Sequence, residues 1–254
     1  MSDFNRRLFL ILAGSLLLFP VRAAMAGPPY VTDDPEPVEY RHWEVYLASQ
    51  HSRENKIWSG TAPHVEVNYG AIPNLQLHLI APFSYVLPEE GTDQYGYGDT
   101  EVGAKYRFIQ ETDVIPQVGT FLILETPTGS HQRKLGSGHL QTFLPLWLQK
   151  SFGPWTSYGG GGYWINPGEG NRNWWFMGWQ AQRKMLPNLY LGGEIFHSTP
   201  KEDGGSSETQ FNLGLQFDVS EKHHLLFSAG RGIQGPNRAQ IYVAYQLTFG
   251  PDSK

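Results

Sequence analysis

Apolar and polar residues alternate along segments of about ten residues that recur from one end of the chain to the other. Near the C-terminus the apolar positions of such a segment are Ile241, Val243, Tyr245, Leu247 and Phe249. The positions between them are more polar on average: Gln240, Tyr242, Ala244, Gln246 and Thr248. Because successive side chains of a strand point to opposite faces, such a segment has one apolar face and one polar face. Strands of soluble sheets usually have about five or six residues, whereas a tilted strand needs about 9–11 to cross a bilayer.

Twelve strands are predicted after a short leader at residues 27–38. They cover residues 40–52, 61–70, 74–86, 98–109, 116–127, 139–150, 155–165, 173–183, 188–199, 208–219, 223–233 and 238–249. In the fourth strand Lys105 and Arg107 lie on the face opposite Val102 and Tyr106. A charged face directly behind an apolar one is expected where the polar face lines a lumen. The pattern therefore predicts an all-β fold, a transmembrane antiparallel up-and-down β-barrel of about 12 strands.

The connections between the predicted strands alternate in length. Short turns such as 70–74 and 184–187 alternate with longer polar connections such as 53–60, 87–97 and 200–207. Outer-membrane barrels have short periplasmic turns and longer outer loops. With an even number of strands, both termini are therefore expected in the periplasm.

Aromatic residues concentrate near the ends of the predicted strands, at Trp43, Trp58, Tyr69, Phe83, Tyr85, Tyr106, Phe108, Trp155, Trp174, Trp175, Trp179 and Phe249. Aromatic girdles at the two membrane interfaces are typical of such barrels, so contact with outer-membrane lipid is expected. Phe249 ends the last predicted strand, where the barrel-assembly machinery is expected to bind. Gly159–Gly162 in the seventh predicted strand indicate a sharp bend, a close backbone approach or simply a weak strand.

The N-terminus has the layout of a secretory signal peptide. Arg6 and Arg7 precede an apolar run at 8–19, and Ala24-Met25-Ala26 supplies small residues before Gly27. The apolar run is too short to span a bilayer. We therefore predict a signal peptide at residues 1–26, cleaved near Ala26, and a barrel domain at residues 27–254 in the outer membrane of a bacterial-type envelope.

Charge and composition exclude several functional classes. Removing residues 1–26 takes away three arginines and one aspartate, which moves the formal net charge from −5 to −7. An acidic chain without clustered Lys and Arg is a poor nucleic-acid binder. The absence of cysteine excludes disulfides, thiolate metal sites and cysteine nucleophiles. No run of 18 apolar residues follows the signal, so no membrane-spanning helix is predicted.

Three segments together resemble one known family. They are YGDTEVGAKYRF at 97–108, LGGEIFHS at 191–198 and HHLLFSAGRG at 223–232. Their sequence and spacing are similar to those of the outer-membrane "MetA-pathway of phenol degradation" family. The resemblance implies a transporter-like barrel associated with the catabolism of aromatic compounds. It implies no catalytic residues.

The predicted inner face carries the candidate functional residues. The lumen-lining candidates are Glu44, Glu66, His78, Glu101, Lys105, Arg107, Glu125, His139, Glu194 and Asp218. Barrels of about eight strands are filled by side chains, and those of about 16–18 strands contain wide channels. A barrel of twelve strands lies between these sizes, so strand number alone does not decide whether its lumen is open. Two interpretations stay open at this point, a channel for small aromatic or hydrophobic solutes and a plugged structural barrel.

A lipid acyl-hydrolase is a further alternative, suggested by Glu194 and His197-Ser198. A hydrolytic triad needs its base within hydrogen-bond reach of the nucleophile. In a strand His197 points outward while Ser198 and Glu194 point inward, so the sequence favours a protein that is not an enzyme. His223 and His224 likewise face opposite ways and are not expected to share a metal ion. No cofactor, catalytic residue or metal ligand is predicted.

Overall fold

The structure, a computed structural model, describes residues 28–251. Its strands, numbered in chain order, are β1 (Trp43–Glu54), β2 (Ile57–Ile72), β3 (Leu75–Leu87), β4 (Gln94–Tyr97), β5 (Thr100–Ile109), β6 (Gln117–Thr126), β7 (Gln141–Phe152), β8 (Trp155–Ile165), β9 (Trp174–Leu186), β10 (Leu189–Ser198), β11 (Glu208–Asp218), β12 (His223–Gln234) and β13 (Arg238–Phe249). A short 3-10 helix lies at His131–Arg133. None of the described residues forms a helix long and apolar enough to cross a membrane. The predicted signal peptide lies outside the described residues.

The strands form one closed antiparallel sheet. Neighbours in the chain pair with each other, and β1 pairs with β13 along its whole length to close the barrel. Both β4 and β5 pair with β3, β4 opposite Phe83–Val86 and β5 opposite Leu75–Ile80. They are therefore two parts of one interrupted strand, and residues 28–251 form a barrel with twelve strand positions. The predicted transmembrane up-and-down barrel is confirmed.

The inner and outer faces of the wall differ as the alternation predicts. In β13 Val243 is 47% exposed on the outer face, whereas Gln246 is fully buried on the inner face. In β9 Met177 and Trp179 are exposed outside and Gln180 is fully buried inside. An apolar band outside and a polar surface inside are the arrangement that lets a barrel span lipid.

The two ends of the barrel are distinct. At the terminal end, where Trp43 and Phe249 lie, connections of two to seven residues join the strands. At the loop end are the short β1–β2 and β12–β13 turns and the connections β3–β4, β6–β7, β8–β9 and β10–β11. Trp43 stacks on Tyr69 with ring centroids 4.2 Å apart, and Phe249 lies 6.4 Å from Trp43. This cluster fits the predicted girdle. Trp174 does not, because its position in β9 turns it inward, where it stacks on Trp164 at 5.4 Å.

Two predicted boundaries are wrong for local reasons. The expected long connection at 53–60 is a two-residue turn, in which Asn55 and Lys56 have φ angles of 47° and 70°. Positive φ at both central residues is what a type I′ hairpin requires. The strand expected at 139–150 begins at Gln141, because Gly138, with φ of 76°, turns the chain just before it. His139 is consequently exposed in the β6–β7 connection and does not line the wall.

Accessibility from outside the cell tests which end of the barrel faces outward. Asp93 and Asp203 are exposed at the loop end, and Glu221 is exposed at the terminal end. We expect a protease site or epitope inserted at Asp93 or Asp203 to be reachable on intact cells, and one at Glu221 to be reachable only after lysis. Labelling at Glu221 without labelling at Asp203 would mean that the barrel is inverted.

Arginine substitutions on the two faces of β13 test the inside and outside assignment. An Arg on the lipid face near the midplane costs about 2–4 kcal/mol in barrel hosts. We therefore expect Val243→Arg to lower the free energy of unfolding by about that amount in lipid vesicles. Gln240→Arg, on the inner face of the same strand, should cost clearly less because Gln240 borders a cavity lined by carboxylates. Equal costs for the two variants would contradict the assignment.

Candidate functional site

The structure places nine of the ten predicted lumen residues in strands, on the face opposite their lipid-facing neighbours. These are Glu44, Glu66, His78, Glu101, Lys105, Arg107, Glu125, Glu194 and Asp218. Their surroundings differ widely. Glu66, His78, Lys105 and Glu194 are buried, although they face the lumen. Something other than bulk water therefore covers these side chains.

Part of that cover is the chain's own leader. Residues 28–38, the inner segment, lie in the lumen, with Pro28 toward the loop end and Val38 near the terminal end. Thr32 and Asp34 are completely buried. Four of its eleven residues are prolines, which have no N–H group to satisfy away from water. The sequence pattern indicated only a polar leader here, and the proline content was the one available signal.

Glu194 of β10 binds the middle of the inner segment. Its Oε1 accepts the backbone N–H of Val31 at 2.9 Å, and its Oε2 accepts that of Thr32 at 2.7 Å. Asn212 of β11 donates its side-chain amide to the same carboxylate at 2.5 Å. Ser228 of β12 donates its hydroxyl to the Pro29 carbonyl at 2.6 Å. The Glu194 carboxylate thus accepts backbone N–H groups of this segment, which in a sheet would be accepted by the carbonyl groups of a neighbouring strand.

Lys105 of β5 forms the ionic contact with the inner segment. Its Nζ lies 2.9 Å from Asp33 Oδ1 and 3.5 Å from Asp34 Oδ2, and 5.0 Å from the centre of the Phe121 ring. Burial raises the pKa of the Asp34 carboxyl well above its ordinary value, and the charge of Lys105 opposes that rise. Lys105 is therefore the cation that makes a buried acidic pair tolerable at this position.

Glu36 anchors the segment near the terminal end. Its Oε2 accepts the side-chain amides of Gln117 and Gln149, both at 3.0 Å, and its Oε1 lies 3.6 Å from Arg107 Nη1. The backbone N–H of Val38 is donated to Gln76 Oε1 at 2.9 Å. Arg107, predicted as a lumen-lining residue, is thus engaged by the inner segment.

One side of the lumen is aromatic. Strands β6 to β10 contribute a buried cluster of Phe121, Phe143, Trp147, Phe176 and Phe196. Trp164 and Trp174 extend it toward the loop end, with Phe143 stacked on Trp164 at 4.8 Å. A Cβ on Gly160 would lie 3.1 Å from the Trp147 ring, and one on Gly162 2.6 Å from the Phe143 ring. The nearest atom to that Cβ on Gly160 is the Leu146 carbonyl oxygen, at 2.1 Å. The glycines of β8 therefore make room for the backbone of β7 as well as for these rings, which supports the close-approach interpretation.

A cavity of about 300 Å³ lies between the tip of the inner segment and the wall. Pro28 and Pro29 border it, as do four carboxylates, those of Glu66, Asp99, Glu101 and Glu125. His78 links two of them, with Nε2 2.8 Å from Glu101 Oε1 and Nδ1 3.7 Å from Glu66 Oε1. Among residues 28–251 no Lys or Arg lines the cavity. The charged side chains that line this cavity are therefore acidic.

The histidines considered for other chemistry have structural partners. His197 Nδ1 lies 2.9 Å from Thr209 Oγ1, while Ser198 is buried on the opposite face of β10. His224 Nδ1 lies 2.7 Å from Asp218 Oδ1 inside the barrel, and His223 contacts the Tyr245 hydroxyl outside it. The described residues contain no cluster of three or more metal-ligating side chains. The geometry thus pairs His197 with a threonine and separates the two adjacent histidines.

Comparisons with solved structures agree with this barrel architecture. KdgM porin, solved in complex with disordered oligogalacturonate, aligns over 80% of this chain and 99% of its own, with 11% identity and a TM-score of 0.55. NanC porin aligns over 80% and 98%, with 5% identity and a TM-score of 0.55. The translocator domain of autotransporter NalP from Neisseria meningitidis aligns over 97% and 95%, with 10% identity and a TM-score of 0.54. Identities this low show the fold alone.

No protein-family model matches the chain, and no curated protein matches it. The phenol-degradation family resemblance expected from the three segments therefore stays a prediction. The solved structures establish a porin-like barrel, without fixing a solute or a family.

Removing the cation of the buried ion pair tests the attachment of the inner segment. Lys105→Gln leaves Asp34 buried without its partner, and breaking such a pair typically costs about 3–5 kcal/mol. We expect faster amide hydrogen exchange in residues 28–38 of this variant in detergent or lipid. Adding Asp33→Asn and Asp34→Asn should restore protection, because no uncompensated charge remains.

Lys150→Gln is the matched control, because Lys150 of β7 faces outward and pairs at 3.1 Å with Glu111 of the β5–β6 connection, away from the inner segment. Exchange in residues 28–38 should be unchanged in that variant. Unaltered protection in Lys105→Gln would show that this ion pair does not hold the inner segment.

Proposed function

We propose that this protein is an outer-membrane channel for small solutes, with the loop end outside the cell and the terminal end, where Trp43 and Phe249 lie, facing the periplasm. The observation that carries the proposal is a closed barrel with an apolar outer face and a lumen that contains a cavity lined by polar groups. A wall of this kind separates two aqueous compartments while its interior offers polar contacts to a solute. The porin fold of its structural neighbours supports the same proposal.

We further propose that the solutes are small aromatic or hydrophobic compounds. The support is the interior aromatic surface, which begins at the loop end with the stacked rings of Phe143, Trp164 and Trp174. Trp164 and Trp174 are partly exposed, whereas the rings deeper in the cluster are buried. Offset-stacked and edge-to-face ring pairs contribute about 0.5–1.5 kcal/mol each beyond their burial. An aromatic solute arriving from outside therefore meets a surface that favours it over a sugar of similar size.

Neighbouring tryptophans of β9 test this solute preference. Trp174 faces the lumen and Trp175 is 52% exposed on the outer face. Loss of about 1 kcal/mol of ring contact corresponds to a fall of about fivefold in preference. We expect Trp174→Ala to lower the ratio of phenol flux to arabinose flux in proteoliposomes by about that factor. Trp175→Ala should leave the ratio unchanged.

The outcomes separate the candidate functions. Flux of both solutes with the same ratio in both variants would keep the channel and overturn the aromatic preference. The inner segment favours one second candidate, a structural barrel closed by its own leader, and no flux of either solute in any variant would support it. Acyl release from phospholipid by the purified protein would instead support a hydrolase and contradict both.

A further inference from the structure

The wall has glycines where the inner segment passes. Four of them lie on the inner face: Gly119 of β6, Gly178 of β9, Gly192 of β10 and Gly214 of β11. The strand neighbours of the last three, Met177, Trp179, Leu191 and Leu213, face outward. Gly119 alternates with Gln117 and Phe121, which are buried on the inner face. None of the four has a positive φ. Their backbone conformation is therefore open to any residue, and space is the remaining reason for glycine.

The inner segment takes much of this space. Adjacent strands take part of it, since a Cβ on Gly119 would also lie 2.7 Å from the Tyr106 carbonyl oxygen and one on Gly192 2.7 Å from that of Ala181. A Cβ on Gly178 would lie 2.2 Å from Thr32 Oγ1, and one on Gly192 2.6 Å from the Tyr30 hydroxyl. A Cβ on Gly214 would lie 2.9 Å from the Tyr30 ring, and one on Gly119 3.0 Å from Pro35 Cβ. The four glycines thus form a groove complementary to residues 30–35. Complementarity on four strands distinguishes a fitted segment from a leader that merely enters an open lumen.

The barrel does not depend on this segment for its sheet. No residue of 28–38 takes part in a strand ladder, and the first contact of the leader with the wall backbone is the bridge between Tyr40 and Gly70 at the terminal rim. The polar contacts of the segment are hydrogen bonds and ion pairs, to Glu194, Lys105 and Gln117 among others. Water can replace contacts of this kind when the segment leaves, which is not true of an apolar core.

We propose that the inner segment is a removable plug, seated in the glycine groove, which closes the half of the lumen nearest the terminal end and leaves it when solute passes. The proposal rests on the channel function. The leader swings about the rim contact at residues 39–42, and the wall keeps its pairing throughout. Closure is therefore built into the chain and needs no second protein.

A disulfide between the plug and the groove tests this directly. A Cβ on Gly178 would lie 3.1 Å from Thr32 Cβ, so a Thr32→Cys/Gly178→Cys pair can bridge after a shift of a few tenths of an ångström. The chain has no cysteine, so this pair forms the only disulfide available. We expect the oxidised protein to show less than a tenth of the planar-bilayer conductance of the same protein after reduction. Thr32→Cys alone, given the same oxidant and reductant, should not change.

A steric variant provides a second test that needs no disulfide. Gly178→Val should expel the plug and raise conductance above that of the parent protein. Thr32→Gly added to Gly178→Val should restore closure, because it removes the atoms that clash. Gly193→Val is the matched control, since Gly193 faces outward beside Leu213 Cδ2 and does not touch the plug. Heat-modifiable gel mobility shows that each barrel is folded.

The results distinguish failure of the plug from failure of the channel. Equal conductance in the oxidised and reduced double-cysteine protein overturns the plug and leaves the channel standing. A folded barrel in which the disulfide does not form overturns the position of the segment. Absence of conductance in every variant, including reduced protein and Gly178→Val, overturns both proposals and makes the inner segment a permanent filling.

Discussion

Backbone pairing in lipid is the constraint on which the rest of this structure depends. No water is available in the bilayer core to satisfy exposed N–H and C=O groups, so a sheet that spans it must have no free edge. The pairing of β1 with β13, from Trp43 opposite Phe249 to Glu54 opposite Arg238, removes that edge. Once the sheet is closed, alternation along every strand divides the side chains between lipid and lumen. The exposed apolar residues of β9 and β13 and the buried glutamines behind them both follow from this closure.

Closure at twelve strands creates an interior that the wall side chains fill only in part. Barrels of about eight strands are filled by side chains alone. Here the aromatic cluster of β6 to β10 fills one side and the inner segment occupies the middle. A chain segment inside a barrel must satisfy its own backbone, and prolines at 28, 29, 35 and 37 reduce the number of N–H groups to satisfy. Glu194 and Gln76 accept the N–H groups of Val31, Thr32 and Val38.

The sequence predicts the strands well and the lumen poorly, for one physical reason. Alternation is local, so it identifies the wall strands within a few residues and puts Val243 outside and Glu194 inside. The contents of the lumen depend on contacts between residues such as Asp33 and Lys105, which are 72 positions apart. Trp174 is predicted to belong to a girdle because it is an aromatic residue at a strand end. Its neighbour Trp175 faces outward, so the alternation of the strand turns Trp174 inward. His139 lies outside the barrel wall because Gly138 turns the chain just before it and β7 begins only at Gln141.

The inner segment also determines which charges of the lumen are available to a solute. In the closed barrel Lys105 and Arg107 are engaged by Asp33, Asp34 and Glu36, while Glu101 and Glu125 border the cavity at the other end. The cavity at the tip of the segment is then lined by carboxylates. In the proposed open state the three carboxylates of the segment are gone and Lys105 and Arg107 are free at the terminal half, so the lumen is wider and has a cationic zone next to the acidic cavity lining. Rings of charge of one sign govern which ions pass a pore, so a single movement changes both the width and the charge of the pathway.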